Sequence, residues 1–243
     1  MKYLWAVATH RGRVRSNNQD SVYPSSSGRG EAPLLMVVAD GMGGHVAGEV
    51  ASSIAVDAAA DTDGTAADKV RAANHGILDR VASEPALRGM GTTMTLVELG
   101  ENGIAEFAHV GDSRAYLYRD GEIQQLTTDH TLMAEYLRTG KIKPEDVASH
   151  PQRSMLTRAL GLTRDLEVDT FQFALVEGDR LLLCSDGVSS LIDEDEIASI
   201  LQLESPEETA WAMVEAANRA GGLDNITALI VDAEETIEPS AEL

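Results

Sequence analysis

The sequence predicts an α+β fold in which antiparallel sheets carry helices on their outer faces. Three observations lead there. Apolar or β-branched runs of strand length recur along the 243 residues. An Asp120-Gly121 pair, the residue type of a two-residue hairpin turn, separates two such runs. Helix-period segments come in pairs between groups of strands, not singly after each strand as a doubly wound parallel sheet requires.

In chain order, the Ser25-Ser26-Ser27-Gly28-Arg29-Gly30 stretch is long enough only for a hairpin loop. A buried-type strand is expected over 34–39, where the run is uninterrupted by polar residues. An alanine-rich helix follows over 47–60, and Ala66, Val70, Ala73, Ile77 and Val81 mark one face of the next. Strands are expected over 92–99 and 105–110, then over 115–118 and 123–126 on either side of the Asp120-Gly121 turn. Further strands fall over 181–184 and 226–231. Asp193 and Ser205 stand as N-caps of two helices, each with Glu three residues on, and Gly221-Gly222 stops the second. Residues 233–243 are acidic, weakly apolar and expected to fray. With no Pro, Gly or Ser linker and no fixed-period repeat, residues 1–243 read as one domain with a sizeable core.

Forty acids against nineteen bases give a net charge of −21. That balance argues against nucleic acid or an anionic membrane surface as partner. No apolar run reaches the ~18 residues of a membrane span, and His10, Arg11 and Arg13 interrupt the start too soon for a secretory signal. The expectation is a cytoplasmic protein. The single cysteine, Cys184, excludes a disulfide framework.

Some of the acids are placed at strand ends. The 34–39 run leads into Asp40-Gly41, the 181–184 run into Ser185-Asp186-Gly187, and Asp224-Asn225 precedes the 226–231 run. Asp-Gly and Asp-Asn are ordinary turn formers, but three aspartates ending core strands can converge on hard cations such as Mg²⁺ or Mn²⁺. Other chemistries fail on detail. From Gly43 to Gly48 the spacing opens like a phosphate-binding loop, yet Glu49 and Val50 stand where Lys and Ser/Thr are needed. Cys184 lacks an arginine six positions on, where Ser190 stands, and reads as core. The six histidines show no zinc-type pairing.

Eight short motifs then occur in one order: Arg15-Ser16-Asn17-Asn18-Gln19-Asp20, Asp40-Gly41-Met42-Gly43-Gly44-His45, Gly91-Thr92-Thr93, Gly111-Asp112-Ser113-Arg114, Thr128-Asp129-His130, Leu156-Thr157-Arg158-Ala159-Leu160-Gly161, Ser185-Asp186-Gly187 and Asp224-Asn225-Ile226-Thr227. The set resembles the metal-dependent (type 2C) protein serine/threonine phosphatases in their compact bacterial form. The resemblance implies a four-layer α-β-β-α sandwich with two central antiparallel sheets. It implies that Asp40, Asp186 and Asp224 hold one Mn²⁺ or Mg²⁺, and that Asp40 with the Gly41 carbonyl holds a second. Asp129, with Asp186, matches a position that binds a third, weaker cation in several bacterial relatives. Asp20 would act through metal-bound water, and Arg15 would hold the phosphate. A water bridging the two metals would hydrolyse phosphoserine or phosphothreonine without a phosphoenzyme. His45 or a metal-bound water would protonate the leaving alkoxide.

The implied partners are phosphoproteins made by a serine/threonine kinase, and the implied state is a monomer. Gln19, Met42 and Ser190 depart from residues common in relatives, leaving the two-metal core intact. A metal-binding but catalytically silent relative would have lost a core aspartate or Arg15, and neither is lost. A two-metal phosphodiesterase or nuclease fits the charge poorly. Residues 131–155 correspond to a flap beside the active site. Between Thr131 and Arg153, four bases meet three acids, so Arg138, Lys141 and Lys143 are expected as a positive lip over the metals.

Overall fold

Strands with apolar residues on both faces need an apolar layer on each side, and the chain provides three such layers. The structure, a computed structural model, describes residues 1–43, 46–147 and 150–234. One sheet holds β1 (Lys2–His10), β3 (Gly28–Glu31), β8 (Arg114–Arg119), β9 (Glu122–Gln125), β11 (Arg180–Cys184) and β12 (Ile226–Glu234), in the order β3-β1-β12-β11-β8-β9. The other holds β2 (Asp20–Tyr23), β4 (Leu34–Met42), β6 (Met94–Leu99), β7 (Ile104–Val110) and β10 (Asp169–Ala174), in the order β10-β7-β6-β4-β2, with the short β5 (Gly91–Thr92) on β4. The pairings are antiparallel, as expected.

Side-chain alternation builds the layers. Leu181 and Leu183 of β11 point between the sheets, with Met36, Val38, Phe107 and Leu229. Leu182 and Cys184 point outward to α6 (Glu194–Leu201) and α7 (Pro206–Arg219), meeting Ile197, Met213 and Ala217. On the other sheet, Val37 and Ala39 of β4 meet Ala51, Ala55 and Ala59 of α1 (Val46–Asp61) and Ile77 of α2 (Ala66–Ser83). Small alanines let α1 lie close on the sheet. The result is the α-β-β-α sandwich that the resemblance implied. No helix among the described residues is long and apolar enough to cross a membrane.

The helix starts follow the expected chemistry. The Asp193 side chain accepts from Glu196 N–H at 2.9 Å, and that of Ser205 from Glu208 N–H at 3.4 Å. Asp120 and Gly121 both take positive φ, 54° and 85°, as their two-residue hairpin requires. Two expectations change. Gly28–Glu31 is a strand on β1 and not loop, because Trp5 lies over Gly28 where a Cβ would not fit. Ala233 and Glu234 do not fray but extend β12, paired with Tyr3 and Lys2; residues 235–243 lie outside the described residues.

Candidate active site

Six aspartates gather at one end of the sandwich because each stands in or close to the end of a strand there. Asp20 opens β2 and lies opposite Asp40 of β4 in register. Asp112 follows β7, Asp129 follows β9, Asp186 begins the short helix α5 (Asp186–Ser189) after β11, and Asp224 precedes β12. Two close backbone approaches fix this end. A Cβ on Gly41 would collide with the Gly48 carbonyl, and one on Gly187 with the Asn225 carbonyl. The first lets α1 start against β4; the second seats α5 on the Asp224-Asn225 turn.

Hydrogen bonds then position several of these residues. Asp20 Oδ2 accepts from Ser185 Oγ at 2.7 Å and from Thr227 Oγ1 at 2.6 Å, the first just after β11 and the second in β12 of the opposite sheet. Thr93 N–H donates to the Asp40 carbonyl at 2.9 Å, and Asp40 N–H donates to Thr93 Oγ1 at 3.0 Å. Asn225 clamps the preceding loop: its Oδ1 accepts from Gln19 N–H at 2.8 Å while its Nδ2 donates to the Arg11 and Asn17 carbonyls. Arg15 donates from Nη2 to Asp224 Oδ2 at 2.6 Å.

Electrostatics mark the group as strained without counter-ions. Burial, opposed by the two hydroxyls, pushes Asp20 up to about 7, and the nearby Asp186 and Asp224 charges add to the rise. Burial and the Asp20 charge hold Asp40 well above the usual carboxylate range. Burial and Asp224 raise Asp186 to about 6. Arg15 is raised mainly by its bond to Asp224. Asp20 Oδ1 and Asp186 Oδ1 are buried with no hydrogen-bond partner. Among the described residues, no three such side chains already form a metal cage. Orphaned oxygens on hard, anionic, partly protonated carboxyls are nonetheless the donor set that suits Mg²⁺ or Mn²⁺.

Asp40, Gly41, Asp186, Asp224 and Arg15 line one cleft; Asp20 is not among the lining residues but stands opposite Asp40 in the sheet, bonded to Ser185 and Thr227. His45 lies outside the described residues. Asp129 lines the adjoining cavity, but Arg114 engages both its oxygens, from Nε at 2.9 Å and Nη2 at 2.8 Å. Asp112 is the carboxyl beside Asp186: it lines both halves of the cleft, and burial with the Asp186 charge pushes it up to about 7. Its signal is weaker than that of the other three, because Gly111 separates it from the end of β7. The expected lip is not formed by lysines. Lys141 lies over the Tyr136 ring at 5.3 Å and Lys143 pairs with Glu145 at 3.8 Å, while Arg153 lines the cavity. Ala148 and Ser149 of the flap segment lie outside the described residues.

A sequence model of protein phosphatase 2C matches residues 8–219. The serine/threonine protein phosphatase PstP of Mycobacterium tuberculosis is 42% identical over 237 residues, covering 94% of this chain and 44% of that protein. The chain thus spans less than half the length of that relative. The serine/threonine phosphatase stp of Listeria monocytogenes is 40% identical over 244 residues, covering 94% of this chain and 95% of that one. Among solved structures, a crystal structure of the M. tuberculosis phosphatase PstP/Ppp superposes with a TM-score of 0.89 at 41% identity, covering 97% of this chain and 100% of that one. The catalytic domain of PstP in complex with two manganese ions gives 0.86 at 38% identity, covering the same shares.

Proposed function

The chain belongs to the protein phosphatase 2C family, and from that premise we propose that it hydrolyses phosphoserine and phosphothreonine in proteins with two Mn²⁺ or Mg²⁺ ions bound. The observation that carries the reading is the gathering of Asp40, Asp186 and Asp224 with Arg15 in one cleft, with unpartnered buried oxygens on Asp186 and on Asp20 beside Asp40. Asp40, Asp186 and Asp224, with the Gly41 carbonyl, would hold the cations. Asp112, paired with Asp186, is better disposed than Asp129 for a third, since Asp129 is occupied by Arg114. Bound there, the cations supply Lewis acidity toward the phosphoryl oxygens and make water nucleophilic near neutral pH.

The protein's own groups do the rest. Arg15 leaves Asp224 and sets its planar fork on two phosphoryl oxygens, orienting the phosphorus. Asp20 keeps its hydroxyl partners on Oδ2 and orients water through Oδ1. The water–phosphorus bond forms as the ester oxygen leaves, and the alkoxide takes a proton from His45 or from water. Cys184, in the core and pushed up to about 12 by burial, offers no nucleophile. We place the protein in the cytoplasm, as a monomer opposing a serine/threonine kinase. A phosphothreonine peptide assayed with Mn²⁺ and with excess EDTA tests the reading. Turnover should vanish in EDTA and fall on the order of 10³-fold in Asp40→Ala or Asp224→Ala. Full activity in EDTA, or in both variants, would overturn it.

A further inference from the structure

The half of the cleft away from Arg15 plays no part in the chemistry above, yet it opens onto the same aspartates. It encloses about 590 Å³ and shares Asp112, Asp186 and Asp224 with the half of about 580 Å³ that holds Arg15. A space of that size is far more than a phosphoryl group needs and falls within the range of ligand sites. Part of its polar lining is already satisfied. Arg114 is engaged through all three nitrogens, two on Asp129 and Nη1 on the Tyr116 hydroxyl at 2.9 Å.

Beside the open Asp186 oxygen and Arg153, much of the rest of the wall is apolar. Ala134 and Leu137 come from the flap helix α3 (Leu132–Arg138), Leu191 follows α5, and Leu223 stands directly before Asp224. Leu137 and Leu223 leave 39% and 54% of their surface in water, at the rim of a concave wall. Val14, another exposed apolar side chain, lines the other half of the cleft. The two ends of the flap segment are tied together: Thr131 pairs with Leu156, and Leu132 N–H donates to the Met155 carbonyl at 2.9 Å.

Resting on the phosphatase reading, we propose that this cavity is a specificity subsite for an apolar side chain flanking the phosphorylated residue of the substrate protein. The occupant follows from continuity and charge. A polypeptide whose phosphate lies against Arg15 must carry its neighbours past Asp186 and Asp224. A flanking acid there would meet Asp112, Asp186 and Asp224 against the single charge of Arg153, since Arg114 is already held by Asp129, and a flanking base would compete with cations for those carboxylates. Leucine, isoleucine, methionine or phenylalanine meets no such conflict and covers Leu137 and Leu223.

The test is kcat/KM for phosphothreonine peptides in which one flanking position at a time is Leu, Ala or Asp. At one or two positions, Leu should exceed Ala by about tenfold, the discrimination an apolar pocket gives for a few methylenes, and Asp should be the poorest. Leu137→Ser, at an exposed rim, should reduce that ratio to about twofold. Ala134→Phe, which fills the cavity without emptying any core, should reduce it as well. A flat profile in the parent protein, or a ratio retained in both variants, would overturn the subsite. Hydrolysis of p-nitrophenyl phosphate by the parent separates the two failures: if it persists while the peptide profile is flat, only the subsite falls.

Discussion

Asp20 and Arg15 show how much of the site depends on single side chains whose partners come from far along the chain. Asp20 receives two hydroxyls, Ser185 and Thr227, and keeps one buried oxygen free; Arg15 ends on Asp224 at 2.6 Å. If the guanidinium is the phosphate clamp, Arg15→Ala should raise KM and lower kcat together, for a combined loss of about 10–100-fold. Mn²⁺ affinity should hold or rise, because Asp224 is released. Arg15→Lys should restore little, since an ammonium lacks the planar fork. A variant that loses metal affinity along with turnover would make Arg15 a support for Asp224 and nothing more. Asp40, Asp186 and Asp224 are legible in sequence as aspartates ending apolar runs. Asp112 escapes that rule by one glycine, and the Arg114 clamp on Asp129 is invisible there because it needs β8 and the turn after β9 side by side.

At the scale of elements, α5 is seated by one missing side chain. Gly187 lies so close to the Asn225 carbonyl that a Cβ cannot be accommodated. Gly187→Ala should therefore cost about 1–3 kcal/mol of stability and shift Asp186, so the Mn²⁺ titration should weaken along with the melting temperature. An unchanged titration would mean that α5 adjusts without moving its first residue. The same scale shows what sequence can reveal. Strands buried on both faces, such as β4 and β11, are continuous apolar runs and are read directly. The half-exposed β10 alternates, with Phe171 stacked on Phe107 at 4.7 Å, and six residues of alternation between turns give a weak signal. β2 and β3 are four residues each and polar, held by their partners more than by their own composition. The expected strand over 92–99 breaks at Thr93, which turns to hydrogen-bond Asp40.

Across the whole molecule, the site sits on the seam between the two sheets, since Asp20 belongs to one and its hydroxyl donors lie in or just after strands of the other. Metal binding and sheet docking should then support each other. Asp20 and Asp112 near 7 and Asp186 near 6 bind more protons folded than unfolded, so in chelator they erode stability as pH rises through those values. His109, held near 4 by burial, acts in the opposite sense below its ordinary 6.5. Metal-free protein should therefore lose several degrees of melting temperature between about pH 6.5 and 8. Mn²⁺ should restore them, with a smaller gain at pH 6, where binding must first expel protons. A chelator curve that is flat over that interval would contradict the assignment of these carboxyls. The pairing of β1 with β12 carries one more consequence. Lys2 lies opposite Glu234 at one end of that ribbon, and His10 opposite Ile226 at the other, beside the aspartates. Nine-residue strands hold the two ends about 27 Å apart. Whatever is joined before Lys2 leaves the sandwich on the side remote from the cleft, so a surface tether or fluorescent reporter placed there would leave the mouth of the cleft facing solvent.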